Sequence, residues 1–118
     1  MTVSILGTDY SVTVKKYSED GEFERLECGG YCSGSMKRIV LCDMSTYPGW
    51  EHEEADVLEI VHKRMLRHEI THAFLEESGL SDNSGEVSGA WARNEEMVDW
   101  IAIQGPKIYA AWQRAGCL

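Results

Sequence analysis

The chain predicts a small α+β fold, and three observations carry that prediction. Apolar residues alternate with polar ones through the first part of the chain, they recur at helical spacing from about Ala55 onward, and Pro48-Gly49 divides the two regimes. At 118 residues the sequence has material for one hydrophobic core, so a single domain over 1–118 is expected.

The elements follow in order. "TVSIL" and "YSVTVKKY", separated by Gly7-Thr8-Asp9, read as a hairpin, with Val12 and Val14 alternating with polar neighbours. Asp20-Gly21 signals a turn, and a Gly-Ser break in "CGGYCSGSMKRIVLCD" precedes the apolar run Ile39-Val40-Leu41. Together these predict a small antiparallel sheet of three to four strands. Val57, Leu58, Val61, Met65, Leu66, Ala73 and Phe74 then predict a helix from about Ala55 to Ser78. Its acidic entry (Glu51, Glu53, Glu54, Asp56) suits the positive end of the helix dipole, and Gly79 is the stop signal. "LSDNSGEVSG" reads as a polar connection, and Trp91, Met97, Val98 and Ile101 predict a second helix ended by Gly105-Pro106. "PKIYAAWQRAG" reads as a short C-terminal helix.

Composition excludes several function classes. Apolar residues make up 43% without a run long enough to cross a bilayer, so a soluble protein with no membrane partner is expected. The opening "MTVSILGTDYSV" lacks the basic start and apolar stretch of a secretory signal, which points to the cytoplasm. Acidic residues outnumber basic ones 20 to 11, and a charge of −9 repels a phosphate backbone, so nucleic acid is not an expected partner. Cys28, Cys32, Cys42 and Cys117 offer one pair spaced wider than a CxxC knuckle and no second pair, so buried or incidental thiols are expected.

The stretch that carries chemistry is "RMLRHEITHAFLEESG". On a helix His68 and His72 lie one turn apart on one face and can present two imidazoles to a single ion. A catalytic Zn²⁺ takes three protein ligands and leaves one position open. Glu69, beside the first histidine, lies at the flank of such a site, where a carboxylate can take a proton from water. A third ligand has to come from a segment that packs beside this helix, and "NEEMVDW" supplies carboxylates. Glu95 and Asp99 are four apart and share a face: one can bind the ion while the other accepts the free N–H of a ligating histidine. Glu96 is rotated by about 100° and has Trp100, not an acid, four residues on. Glu95 is therefore preferred over Glu96.

"HEITH" followed by "NEEMVD" resembles the zincin metallopeptidases, and within them the gluzincins, whose pattern is HExxH with a downstream NExxxD. The short interval between the motifs is similar to the minimal ImmA/IrrE-type peptidases of bacteria and phages. The resemblance implies His68, His72 and Glu95 as zinc ligands, Glu69 as general base and Asp99 as the residue that orients a ligating histidine. It also implies a zincin-like arrangement of small sheet, active-site helix and glutamate-bearing helix, and hydrolysis of a peptide bond in a peptide or protein substrate. It departs from the pattern in having its strands ahead of any leading helix.

In that family a substrate commonly lies extended against an edge strand, and "KRIVLCD", Lys37 to Asp43, is the strand this reading selects, with an ordinary core strand as the alternative. A donor to the developing oxyanion is also wanted; His62, Tyr47 and Tyr109 are open choices. His62, six residues before His68, faces roughly 120° away from it and reads, like His52, as a surface residue. Trp50, Trp91, Trp100 and Trp112 read as core or rim packing. Narrow specificity toward one protein partner fits a small unregulated protease. The competing reading is a zinc-binding interaction or regulatory protein without proteolytic activity, which would have no need of Glu69.

Overall fold

The computed structural model describes residues 1–82, 90–115 and 117–118; most of the polar connection read at 80–89 lies outside them. Four strands come first, β1 (Thr2–Ile5), β2 (Thr8–Lys15), β3 (Gly30–Ser33) and β4 (Arg38–Cys42). A one-turn helix α1 (Glu22–Arg25) sits between β2 and β3, and two long helices follow, α2 (Ala55–Glu77) and α3 (Glu95–Ala115). The fold is α+β, a four-stranded sheet with helices packed on it.

Ile5 pairs with Thr8, and the two residues between them, Leu6 and Gly7, both have positive φ (51° and 88°). This is the turn whose twist matches a two-residue hairpin. The spatial order is β1-β2-β4-β3, with β2 parallel to β4 and the other pairs antiparallel. The sheet is thus mixed, not antiparallel throughout. The parallel pair requires a crossover, which α1 and β3 provide. β4 is consequently buried on both faces. Ile39 and Leu41 pack with Ile5, Tyr10 and Ala73 beneath α2, while Val40 and Cys42 pack with Phe23 and Met44 on the other side. A strand buried on both faces reads as a continuous apolar run, which is what "IVLC" is.

α2 keeps the boundaries that its periodicity predicts. Ser78 closes it and Gly79, at φ 82°, sends its N–H back to the Glu76 carbonyl. Its C-terminal end is tied to the sheet through Glu77, which accepts from Thr8 Oγ1 (2.7 Å), Tyr10 OH (2.9 Å) and Lys37 Nζ. Ala73, fully buried, has no bulk to hold the helix away from the sheet.

α3 corrects the reading of two helices interrupted at Gly105-Pro106, because it runs through Pro106 without a break. Proline cannot donate to the carbonyl four residues back, here Ala102. That buried carbonyl instead accepts Arg67 Nε from α2 at 2.6 Å. One guanidinium both satisfies the group that Pro106 orphans and joins the two long helices next to His68. At the other end of α3, Asn94 Oδ1 accepts the Met97 N–H at 2.9 Å, a cap that starts the helix at Glu95. Among the described residues no helix is long and apolar enough to cross a membrane.

Candidate metal centre

His68 and His72 occupy successive turns of α2, and Glu95 and Asp99 occupy successive turns of α3 where the two helices pack. His68 Nδ1 lies 2.8 Å from Asp99 Oδ1. A carboxylate only accepts, so Nδ1–H donates, and a neutral His68 is left with its lone pair on Nε2. That nitrogen faces His72 Nε2 at 3.1 Å and Glu95 Oε2 at 3.2 Å, and His72 Nε2 lies 3.3 Å from Glu95 Oε2. Three lone-pair donors so close repel one another unless a proton or a cation lies between them.

A triangle of this size could hold a metal ion. Tetrahedral bonds of about 2.0–2.1 Å separate their ligand atoms by about 3.3 Å, and the three edges here are 3.1–3.3 Å. His68, Glu69 and His72 also form a group that could hold a metal ion, their ligand atoms lying within 4.8 Å of one another. Glu69 Oε1 is nevertheless 4.0 Å from His68 Nε2, farther than Glu95. Glu95 Oε2 is thus the carboxylate oxygen nearer to His68 Nε2, and Glu69 stands farther off. Glu95 is 66% exposed and Asp99 62%, so the cluster is open on the α3 side. Glu96 is exposed and pairs with neither histidine.

The electrostatics divide the same residues. Burial pushes the Glu69 carboxyl up to about 8, and the negative charges of Glu95 and Asp99 add to the shift. A cation among these side chains would oppose it. Burial also lowers the His72 imidazole below its ordinary value, which keeps it in the neutral form that a metal ion takes. Cys32 is pushed up to about 12 by burial, so its thiol stays protonated.

Two contiguous cavities of about 310 and 390 Å³ flank the cluster and make one cleft between α2 and β3. Its wall is the glycine pair in "CGGYC". A Cβ on Gly29 would lie 2.7 Å from Met65 Sδ, and one on Gly30 would lie 2.9 Å from Leu41 Cδ2 and 3.4 Å from Glu69 Oε1. Gly29 leaves room for Met65 of α2 and Gly30 for Leu41 of β4, and Gly30 lies in ordinary contact with Glu69. The sequence offered that signal, since glycine inside a strand marks close approach, but the cysteines on either side drew the reading instead.

The structure therefore brings His68, Glu69, His72, Glu95 and Asp99 together. It separates others. Lys37 to Asp43, selected as an edge, contains β4, which is paired on both sides; the edge strand beside the cleft is β3. Tyr47 packs with Phe23 and Met44, Tyr109 lines a separate apolar groove with Phe74 and Ile101, and His62 is outside the cleft lining. Trp91, Trp100 and Trp112 are more than half exposed, not core; Trp50 does pack against the Phe23 cluster. Tyr31, Arg64 and Glu76 line the cleft and were not singled out from sequence.

No protein-family model, no curated protein and no solved structure matches this chain. The case for its function rests on the geometry of the cluster.

Proposed function

We propose that this chain is a zinc-dependent peptidase of the minimal gluzincin kind, with His68, His72 and Glu95 holding the ion and Glu69 as general base. The observation that carries the reading is the donor triangle with Asp99 on the far nitrogen of His68 and a buried carboxylate at its flank. Imidazole and carboxylate donors in three positions, with a fourth side open, suit Zn²⁺ above the harder divalent ions. Bound there, zinc lowers the pKa of a coordinated water to about 7 and polarises a carbonyl oxygen.

The chain's own residues do the rest. Asp99 holds His68 in the tautomer that leaves Nε2 free and fixes the ring's orientation. Glu69, 5% exposed, takes the proton of the attacking water and returns it to the leaving nitrogen. Burial and the neighbouring acids push its carboxyl up to about 8, and a cation held by the triangle would oppose that shift and leave the carboxylate free to accept the proton. Among the described residues β3 has one partner strand, β4, and its other edge lies beside Glu69, where it could align an extended peptide. Glu69 also separates this reading from a zinc-stabilised interaction protein, in which a buried carboxylate with no hydrogen-bond donor among the described residues would be a cost without a use.

The test is a zinc-loaded digestion of a mixed synthetic peptide library, read by mass spectrometry, for wild type and Glu69→Gln. The expected result is cleavage that a chelator stops, zinc restores and Glu69→Gln lacks. Stoichiometric zinc with no product, or cleavage retained by Glu69→Gln, contradicts the proposal.

A further inference from the structure

The cleft is longer than the metal cluster, and beyond the cluster's own carboxylates its two ends are charged oppositely, by Arg64 and by Glu76. Arg64, His68, His72 and Glu76 follow one another at intervals of four along α2, so Arg64 lies one turn before the histidines and Glu76 one turn after. Arg64 lines the cavity on one side of the cluster and Glu76 the cavity on the other. Neither the Arg64 guanidinium nor the Glu76 carboxylate has a hydrogen-bond or ion-pair partner among the described residues, although Glu76 is half-buried. Glu77, the next residue, shows the contrast, with three donors of its own.

β3 sets a direction. Gly29 abuts Met65, Gly30 abuts Glu69, and Gly34, just past the strand, abuts the Glu76 side chain, where a Cβ would lie 2.9 Å from Glu76 Cβ. The strand therefore runs beside α2 in the same sense, from the Arg64 end toward Glu76. A peptide added to its free edge in the stronger, antiparallel sense runs the other way. Its N-terminal side lies at Glu76 and its C-terminal side at Arg64. The twelve residues from Arg64 to Glu76 span about 18 Å of helix, the length of about five residues of extended peptide. Each charge is thus two or three peptide residues from the bond at the cluster.

We propose that Glu76 and Arg64 set the substrate's charge pattern: a Lys or Arg two or three residues before the scissile bond, and a carboxylate two or three residues after it. The proposal rests on the peptidase reading for its scissile bond and on the cleft alone for its charge pattern. The carboxylate can be an Asp or Glu side chain or the peptide's own C-terminus, and the shared chemistry is an anion opposite a guanidinium.

The experiment uses a randomised decapeptide library in two forms, with free and with amidated C-termini. Cleavage sites are read with zinc-loaded wild type, and retention is read separately on immobilised Glu69→Gln protein. Arg64→Glu and Glu76→Lys are carried through both readouts. The expected result is several-fold enrichment of basic residues before, and acidic residues after, the cleaved or central position, with each preference reversed by its charge-swap variant. Enrichment that disappears on amidation assigns the carboxylate to the terminus; enrichment that survives assigns it to a side chain. Cleavage or retention with no charge preference, or with one that the swaps leave unmoved, overturns the proposal while the peptidase reading stands. Loss of zinc binding in wild type overturns the peptidase reading, and retention by charge then still tests the cleft.

Discussion

Helix α2 carries two acidic centres that differ in one respect. At its C-terminal end, Glu77 receives hydrogen bonds from Thr8, Tyr10 and Lys37, and these donors hold its carboxyl down at about 2. Two turns earlier, Glu69 is buried with no hydrogen-bond donor among the described residues, His68 Nε2 standing 4.0 Å away and two more acids nearby, and its carboxyl is pushed up to about 8. A carboxylate with all its donors is an anchor; it joins the helix to the sheet and has nothing left to bind. One buried without them carries an energetic cost, and a cation among Glu69, Glu95 and the two histidines would offset it. The difference lies in neighbours and not in residue type.

The contrast can be broken at either centre. The largest expected effect is at the flank of the cluster: Glu69→Gln keeps the metal but lowers the turnover of a cleaved peptide by about 10²–10⁴-fold, the usual contribution of a general base. Unchanged turnover would remove Glu69 from the chemistry. Asp99→Asn comes next. With the orientation of His68 loosened, zinc affinity measured by chelator competition should fall by about 10–100-fold. An unchanged affinity would make the 2.8 Å contact incidental.

The join between the helices offers a sharper test. Arg67→Ala strips the Ala102 carbonyl of the side-chain donor that replaces the missing proline N–H and should destabilise the chain by about 1–3 kcal/mol in urea unfolding. In a Pro106→Ala background the restored N–H can serve that carbonyl, so the same substitution should cost less. Equal costs in both backgrounds would refute the pairing of Arg67 with Pro106. The smallest effect is expected at Glu77 and shows as pH dependence. Its carboxyl sits below its ordinary 4.5 in the fold, so its stabilisation is complete above about 4.5 and is lost as pH falls toward about 2. The gap in urea midpoint between wild type and Glu77→Gln should therefore be widest at neutral pH and shrink in acid. A constant gap would deny Glu77 its anchoring charge.

What could be read in the sequence was local. The boundaries of α2, its glycine stop, and the pairing of His68 with His72 and of Glu95 with Asp99 all follow from spacing along one helix, and spacing survives folding. The misreadings concern what spacing cannot encode. Whether β4 lies at an edge or in the centre depends on which strand returns beside it, and its unbroken apolar run was the one hint of burial on both faces. Pro106 reads as a stop because the remedy, Arg67, comes from another helix thirty-nine residues earlier. The cleft's walls were hidden because Arg64 and Glu76 gain meaning only once the segment around β3 folds back to line the same cavities.

The central claim is that His68, His72 and Glu95 close on one metal ion. Elemental analysis of the purified chain tests it most directly, for wild type, His72→Ala, Glu95→Ala and the neighbouring Glu96→Ala. About one zinc per wild-type chain, lost in the first two variants and kept in the third, is the predicted result. A wild-type chain that neither carries stoichiometric metal nor takes up added zinc would contradict it, as would one whose zinc survives both substitutions.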